Sequence, residues 1–168
     1  MHDPPMPAGR YQFHPMTAAD LPLVKRWLAE PHVVQWWGDA SEQFELVSGD
    51  LEVETIDQFI VATDGRPFGY IQCYDPEIWP DSGLGDHPKG TRAIDQFIGE
   101  LAMVDRGHGS AFIRTFIDLL LASGAPRVIT DPDPANARAI RAYEKAGFRR
   151  DRLVDTSEGE ALLMVRDR

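Results

Sequence analysis

Leu21, Val24, Trp27 and Leu28 recur at intervals of three and four, the spacing that gathers side chains on one face of a helix. This spacing predicts a helix from Asp20, a capping residue, to about Glu30, with Pro22 tolerated in its first turn. Ahead of it, Tyr11 to Pro15 reads as a short strand. Pro31 opens a second helical segment holding Val33, Val34, Trp36 and Trp37, and Gly38 ends it. The acidic stretch 41–54 is expected to be helical. The period then shortens to two. QFIVAT (58–63) and PFGYIQCY (67–74) read as strands, and Asp64-Gly65 between them is a hairpin signal. Residues 75–90 form a long loop rich in Pro, Gly and Asp, and long loops in compact domains are often binding loops. TRAIDQFI (91–98) is a further strand. Gly107 to Ser110 is expected as a turn leading into a helix from about Ala111 to Ser123, with Phe112, Ile113, Phe116, Ile117, Leu120 and Leu121 on its apolar face. Val128 to Thr130 is a short buried strand, and Asn136 to Ala146 a helix stopped by Gly147. Phe148 to Val154 and Ala161 to Val165 close the chain as two strands.

This order predicts a mixed α/β (α+β) architecture, one layer of sheet with helices packed on it. The length of 168 residues suits one domain, expected over residues 11–168, after a flexible Pro-rich tail at 1–10. No internal repeat or interdomain linker stands out.

Composition and charge narrow the function. No apolar run approaches the roughly 18 residues of a membrane helix, and the N-terminus lacks the pattern of a signal peptide. With one cysteine, Cys73, neither a disulfide framework nor a thiolate metal site can form within the chain. No metal-ligand spacing joins the five histidines, and no metal is expected. A cytoplasmic protein without membrane partners, monomeric or homodimeric, is the expectation. Net charge is −10, and it is split: residues 1–105 carry −12 and residues 106–168 carry +2. A nucleic-acid partner is disfavoured, because backbone binding needs a basic face. The split suits a cationic ligand on the N-terminal part and an anionic one on the C-terminal part, although from charge alone solvated acidic surface is the simpler account.

Two segments carry candidate chemistry. Arg106-Gly107-His108-Gly109-Ser110 lies between a strand and a helix, where glycines admit close backbone approach and helix-start N–H groups attract phosphate. It lacks the GK[ST] of a P-loop, and Phe112 occupies the third glycine position of a dinucleotide fingerprint. By itself it also fits an ordinary tight turn. In NARAIRAYEKAGF (136–148), Ala139, Ile140, Tyr143 and Ala146 define one helix face. A core helix explains most of this and leaves Asn136 and Tyr143 as polar groups that can face a ligand.

Together these segments resemble the acetyl-coenzyme A signature of the Gcn5-related N-acetyltransferases, a glycine turn opening a helix followed about 30 residues later by N-x-x-A-I-x-x-Y-E-K-x-G-F. Within that superfamily the chain is most similar to the aminoglycoside 6′-N-acetyltransferases. Four segments carry the likeness: His32 to Gly38 (HVVQWWG), Gly69 to Tyr74 (GYIQCY), Gly90 to Gln96 (GTRAIDQ), and Thr130 to Pro134 (TDPDP) running into the Asn136 helix. Two positions depart from the pattern: Val104 stands where Gln or Arg usually precedes the glycine turn, and His108 occupies a usually apolar position.

The resemblance implies a central, mostly antiparallel twisted sheet of six to seven strands with helices on both faces. It implies acetyl-coenzyme A as cosubstrate, held by Ile98, Gly99, Glu100, Arg106, Gly107, His108, Gly109, Ser110 and Asn136. It implies Asp95 as the active-site carboxylate that fixes an ammonium and takes its proton; a salt bridge, for example to Arg92, is the alternative. Backbone N–H groups near Ile98 to Glu100 are expected to be free for the thioester. Tyr143 is implied as the acid on the thiol side, and packing within its helix is the alternative. Trp36, Trp37, Gln72, Asp95 and Asp131 are implied for the acceptor, a cationic small-molecule amine, with core packing the alternative for one tryptophan. Two rival readings remain: acylation of a hydroxylated lysine in siderophore synthesis or of a protein N-terminus, and a non-catalytic module that binds a cationic drug or acyl-coenzyme A.

Overall fold

A computed structural model of the chain describes residues 9–168. Most of the expected tail, residues 1–8, lies outside the described residues; the carbonyls of Gly9 and Arg10 accept hydrogen bonds from Gln12 Nε2 and Thr63 Oγ1. The chain falls into two compact units, one running to Cys73 and including Asp95–Arg106, the other comprising Tyr74–Ile94 and Gly107–Arg168.

In the first unit, β1 (Tyr11–Pro15) is followed by three helices, α1 (Leu21–Leu28), α2 (Pro31–Trp37) and α3 (Ala40–Asp50), then by β2 (Ile56–Thr63) and β3 (Arg66–Tyr74). Strand β4 (Arg92–Ile98) supplies residues to both units. The strand order is β1-β2-β3-β4, and β1 pairs antiparallel with β2. The turn between β2 and β3 places Asp64 and Gly65 at φ 51° and 74°. Two successive positive φ values are those of a type I′ hairpin, whose twist matches the flanking strands. Asp20 differs from expectation. Its carboxylate accepts from the Thr17 amide at 3.0 Å and makes no side-chain bond to α1, so it closes a capping box on the 3₁₀ turn before that helix.

The apolar stripe of α1 lands as the spacing requires. Val24, Trp27 and Leu28 are buried with Val33, Val47, Ile60, Tyr70 and Phe97 in one cluster. Phe97 stacks on Tyr70 with centroids 5.3 Å apart, and Trp27 and Trp37 meet Phe97 edge-on at 6.2 and 5.1 Å. Full burial of one large apolar side chain stabilises by about 1.5–3 kcal/mol, so this aromatic group anchors the helices to β3 and β4.

In the second unit, α4 (His108–Ala122), β5 (Arg127–Thr130), α5 (Ala137–Lys145), β6 (Arg149–Thr156) and β7 (Gly159–Asp167) follow in order. The strands run β4-β5-β7-β6. The β4–β5 ladder is parallel, at Arg92↔Val128 and Ala93↔Ile129; β5–β7 and β6–β7 are antiparallel. Seven strands with helices agree with the mixed α/β expectation. Helix α4 begins at His108, so residues 108–110, expected as a turn, form its first turn instead.

Candidate active site

Asp95 sits midway along β4, half-buried, with its Oδ2 accepting a hydrogen bond from Gln72 Nε2 at 2.9 Å. The other end of that amide, Gln72 Oε1, accepts from the Tyr70 hydroxyl at 2.7 Å. The Tyr70 oxygen in turn accepts from Gln58 Nε2, 2.9 Å away, and the same nitrogen donates to the Val47 carbonyl in α3 at 2.9 Å. Tyr70 and Gln72 lie two apart on β3 and so share a face of the strand. Burial pushes the Tyr70 phenol far above its ordinary range; the bond from Gln58 pulls the other way, while Asp50, Asp95 and Cys73 add to the rise. The phenol is a neutral donor at any working pH. Gln58 and Tyr70 had no assigned role from sequence, and Gln72 was expected at the acceptor. A signal did exist: polar residues at alternate positions of otherwise apolar strands.

After β4 the structure corrects one expectation. The amides of Gly99 and Glu100 both donate to the Phe68 carbonyl, at 2.8 and 3.2 Å, so they are not the free donors expected for a thioester oxygen. The reason is that the chain just past the end of β4 turns both amides onto one carbonyl of β3. The Ile98 carbonyl is also engaged, 2.8 Å from His32 Nε2. Glu100 Oε2 accepts from Trp27 Nε1 at 2.7 Å and from Arg26 at 3.4 Å. The bond from His32 in α2 to the end of β4 has no signature in the sequence.

The second unit holds the glycine turn. Gly107 precedes α4 at φ 81°, two residues after Asp105 at φ 60°. The N-cap residue Gly107 has no side chain with which to cap α4, and a Cβ there would meet nothing within 4 Å. A 15-residue helix that starts on a glycine offers backbone N–H groups and the positive end of its dipole to an anion. His108, Gly109 and Ser110 form this first turn, with Ser110 Oγ 3.5 Å from the Gly107 carbonyl, and Arg106 is exposed beside it. Asn136 does not point away from its helix: its Oδ1 caps α5 by accepting from Ala139 N at 3.2 Å. Tyr143 is buried and packs edge-on against Phe148 at 5.5 Å. Asp131 is half-buried just beyond β5.

The two tryptophans divide as adjacent helical residues must. Trp37 packs on Tyr70 and Phe97, and Trp36 is 37% exposed. In the second unit the 75–90 loop encloses a cavity of about 150 Å³ whose lining includes Asp75, Glu77, Trp79, Asp86 and His87. Cys73 is buried, 4.0 Å from Asp57 Oδ2. Among the described residues no group of three or more His, Cys, Asp or Glu is placed to hold a metal ion.

Known proteins supply the comparison. Residues 16–156 match the family model described as an acetyltransferase (GNAT) domain. The chain is 35% identical over 167 residues to the aminoglycoside N(6′)-acetyltransferase type 1 of Klebsiella pneumoniae, covering 91% of this chain and 81% of that one. It is 27% identical over 130 residues to an N-hydroxyputrescine acetyltransferase of Acinetobacter baumannii, covering 75% and 60%. The solved structure of aminoglycoside acetyltransferase AAC(6′)-Ib with coenzyme A and kanamycin matches with a TM-score of 0.85 at 33% identity, over 94% of this chain and 95% of that one. The same enzyme with acetyl-coenzyme A bound gives a TM-score of 0.86. The chain belongs to the GNAT acetyltransferase family.

Proposed function

We propose that this protein transfers the acetyl group of acetyl-coenzyme A to a primary amine of a polycationic small molecule, the 6′-amine of an aminoglycoside, an antibiotic-resistance activity. The observation that carries the acceptor assignment is the 35% identity to an aminoglycoside N(6′)-acetyltransferase along 91% of the chain. We read residues 11–168 as one catalytic domain, working in the cytoplasm as a monomer or homodimer.

The chemistry follows from the residues. Acetyl-coenzyme A supplies an activated acetyl thioester. An alkyl ammonium titrates near 10, as lysine does, so it must lose a proton before its nitrogen can form the amide bond. Asp95, held by Gln72, orients the ammonium and receives that proton, directly or through water. As the C–S bond breaks, the coenzyme A thiolate takes up a proton, and Tyr143 is the side chain assigned to give it. The start of α4, with Gly107, His108, Gly109 and Ser110 and with Arg106 beside it, is suited to the coenzyme's phosphates. Asn136 contributes by fixing the start of α5. Ile98, Gly99 and Glu100 form the edge along which the pantetheine arm runs, with the Gly99 and Glu100 amides shaping that edge through Phe68 rather than donating to the ligand. On the acceptor side, exposed Trp36 offers a face to a sugar ring or a cation, and Asp131 and Gln72 complete the polar contacts.

A second reading has one observation in its favour, the 27% identity to an N-hydroxyputrescine acetyltransferase. It keeps the chemistry and exchanges the acceptor for a short hydroxylated amine of siderophore synthesis. The deciding experiment is a thiol-release assay with acetyl-coenzyme A across aminoglycosides, polyamines, lysine derivatives and peptides. The proposal expects the highest kcat/KM with a 6′-amino aminoglycoside. Preference for a hydroxylated diamine selects the second reading. Tight ligand binding with no turnover on any acceptor identifies a binding module.

A further inference from the structure

The chain Val47–Gln58–Tyr70–Gln72–Asp95 has acceptor-only groups at both ends. Val47 presents a carbonyl and Asp95 a carboxylate, and neither can donate. That fixes the direction of every bond between them. Gln58 must turn its NH₂ toward Val47, so its second N–H meets the Tyr70 oxygen. The Tyr70 hydroxyl, already accepting, gives its one proton to Gln72 Oε1. Gln72 is then left with only its NH₂ for Asp95. Flipping either amide would set oxygen against oxygen, at Val47 or at Asp95. The three intermediate residues are 6%, 0% and 8% exposed for Gln58, Tyr70 and Gln72, so no bulk water stands ready to repair a broken link. All five residues belong to one compact unit.

We propose that Tyr70 and Gln58 are positioning residues for the acetyl-transfer reaction, holding the Gln72 amide in the one orientation that points a donor at Asp95. This rests on the reading of Asp95 as the proton acceptor. The relay keeps one carboxylate oxygen tied to the sheet, so that Asp95 meets the ammonium in a fixed direction rather than sampling rotamers. Without the Tyr70 hydroxyl, Gln72 Oε1 loses its donor, the amide is held only at its Asp95 end, and the pair can shift together away from the reacting position. Misplacement of a reacting group by about 1 Å can cost on the order of a hundredfold in rate. The buried phenol serves this role because it is a rigid, neutral donor, and Phe removes its hydroxyl while keeping the ring.

The test is a double-mutant cycle on the full chain, using Tyr70→Phe, Asp95→Asn and the pair, with thiol release from acetyl-coenzyme A and kanamycin as readout and thermal unfolding as control. The expected result for Tyr70→Phe is a fall in kcat of about tenfold to a hundredfold, KM for acetyl-coenzyme A within twofold, and no further loss when it is added to Asp95→Asn. Gln58→Met, which removes the donors at the far end, should behave alike and carries the test if Tyr70→Phe fails to fold. An equal loss with and without Asp95, or activity within twofold of wild type in both variants, overturns the relay. If Asp95→Asn alone retains wild-type activity, the reading of Asp95 as proton acceptor fails first, and the relay with it.

Discussion

Gly99 lies against the indole of Trp27 so closely that a Cβ on residue 99 would stand 2.1 Å from the ring's Cγ. The ring cannot yield easily, because Trp27 is 1% exposed and its Nε1 is held by Glu100 Oε2 at 2.7 Å. The glycine is thus required by packing. Gly99→Ala should cost about 1–3 kcal/mol, the usual range for overpacking a filled core. For a domain of this size that is a fall in Tm of about 2–12 °C. Calorimetric melting checks it, and an unchanged Tm would mean that the indole moves freely.

The proton acceptor is tested by Asp95→Asn, which keeps the shape and loses the charge. Loss of general-base help typically costs about 10²–10⁴ in rate. That loss is expected in kcat/KM for kanamycin, with coenzyme A affinity retained in titration calorimetry. A variant within threefold of wild type would assign Asp95 to structure alone.

The coenzyme site is tested in the first turn of α4. Gly109→Val adds a branched side chain where the backbone is proposed to approach phosphate. Coenzyme A affinity should fall while the circular dichroism spectrum is kept. Equal affinity in the variant would move the phosphates elsewhere.

Salt should act on the acceptor. Residues 1–105 carry −12, and screening shortens from about 10 Å at 0.1 M to about 3 Å at 1 M ionic strength. KM for kanamycin is expected to rise several-fold over that range. A flat KM would make the acidic half ordinary solvated surface.

The end of β7, between β5 and β6, has a pH signature. Asp167 at the end of β7 takes Arg127 Nε at 2.6 Å and Arg149 at 3.2 Å. The hydrogen bond from Arg127, and then the one from Arg149, hold its carboxyl below the usual range. A carboxyl whose folded pKa is depressed stabilises above its unfolded value, about 3.9, and loses that contribution as pH falls through the folded value. The Tm gap between wild type and Asp167→Asn should therefore be widest near neutrality and close below about pH 4. A gap independent of pH would show that the loss is steric.

Much of this was legible in the chain, for local reasons. The 3–4 spacing of Leu21, Val24, Trp27 and Leu28 located α1, and Asp64-Gly65 located the hairpin because few other pairs accept two positive φ values. Helix starts were harder. Asp20 caps the turn before α1, and Gly107, not Ser110, borders α4, since glycine is as good outside a helix as in its first turn. The relay was illegible because its members are spread over α3, β2, β3 and β4, and only the pairing of strands brings Gln58, Tyr70 and Gln72 into line. The bonds from Gly99 and Glu100 to Phe68 were hidden for the same reason: they depend on where the chain after β4 lies against β3.

The most direct test of the whole account is where the acetyl group goes. The protein is incubated with acetyl-coenzyme A and kanamycin, and the product is located by nuclear magnetic resonance, beside an analogue carrying a hydroxyl at the 6′ position. The account predicts one amide, on the 6′ nitrogen of kanamycin, and no product from the hydroxyl analogue, which is a poorer nucleophile and offers Asp95 no ammonium. Acetylation at another nitrogen, or no reaction with kanamycin while a neutral or acidic amine turns over, would contradict it.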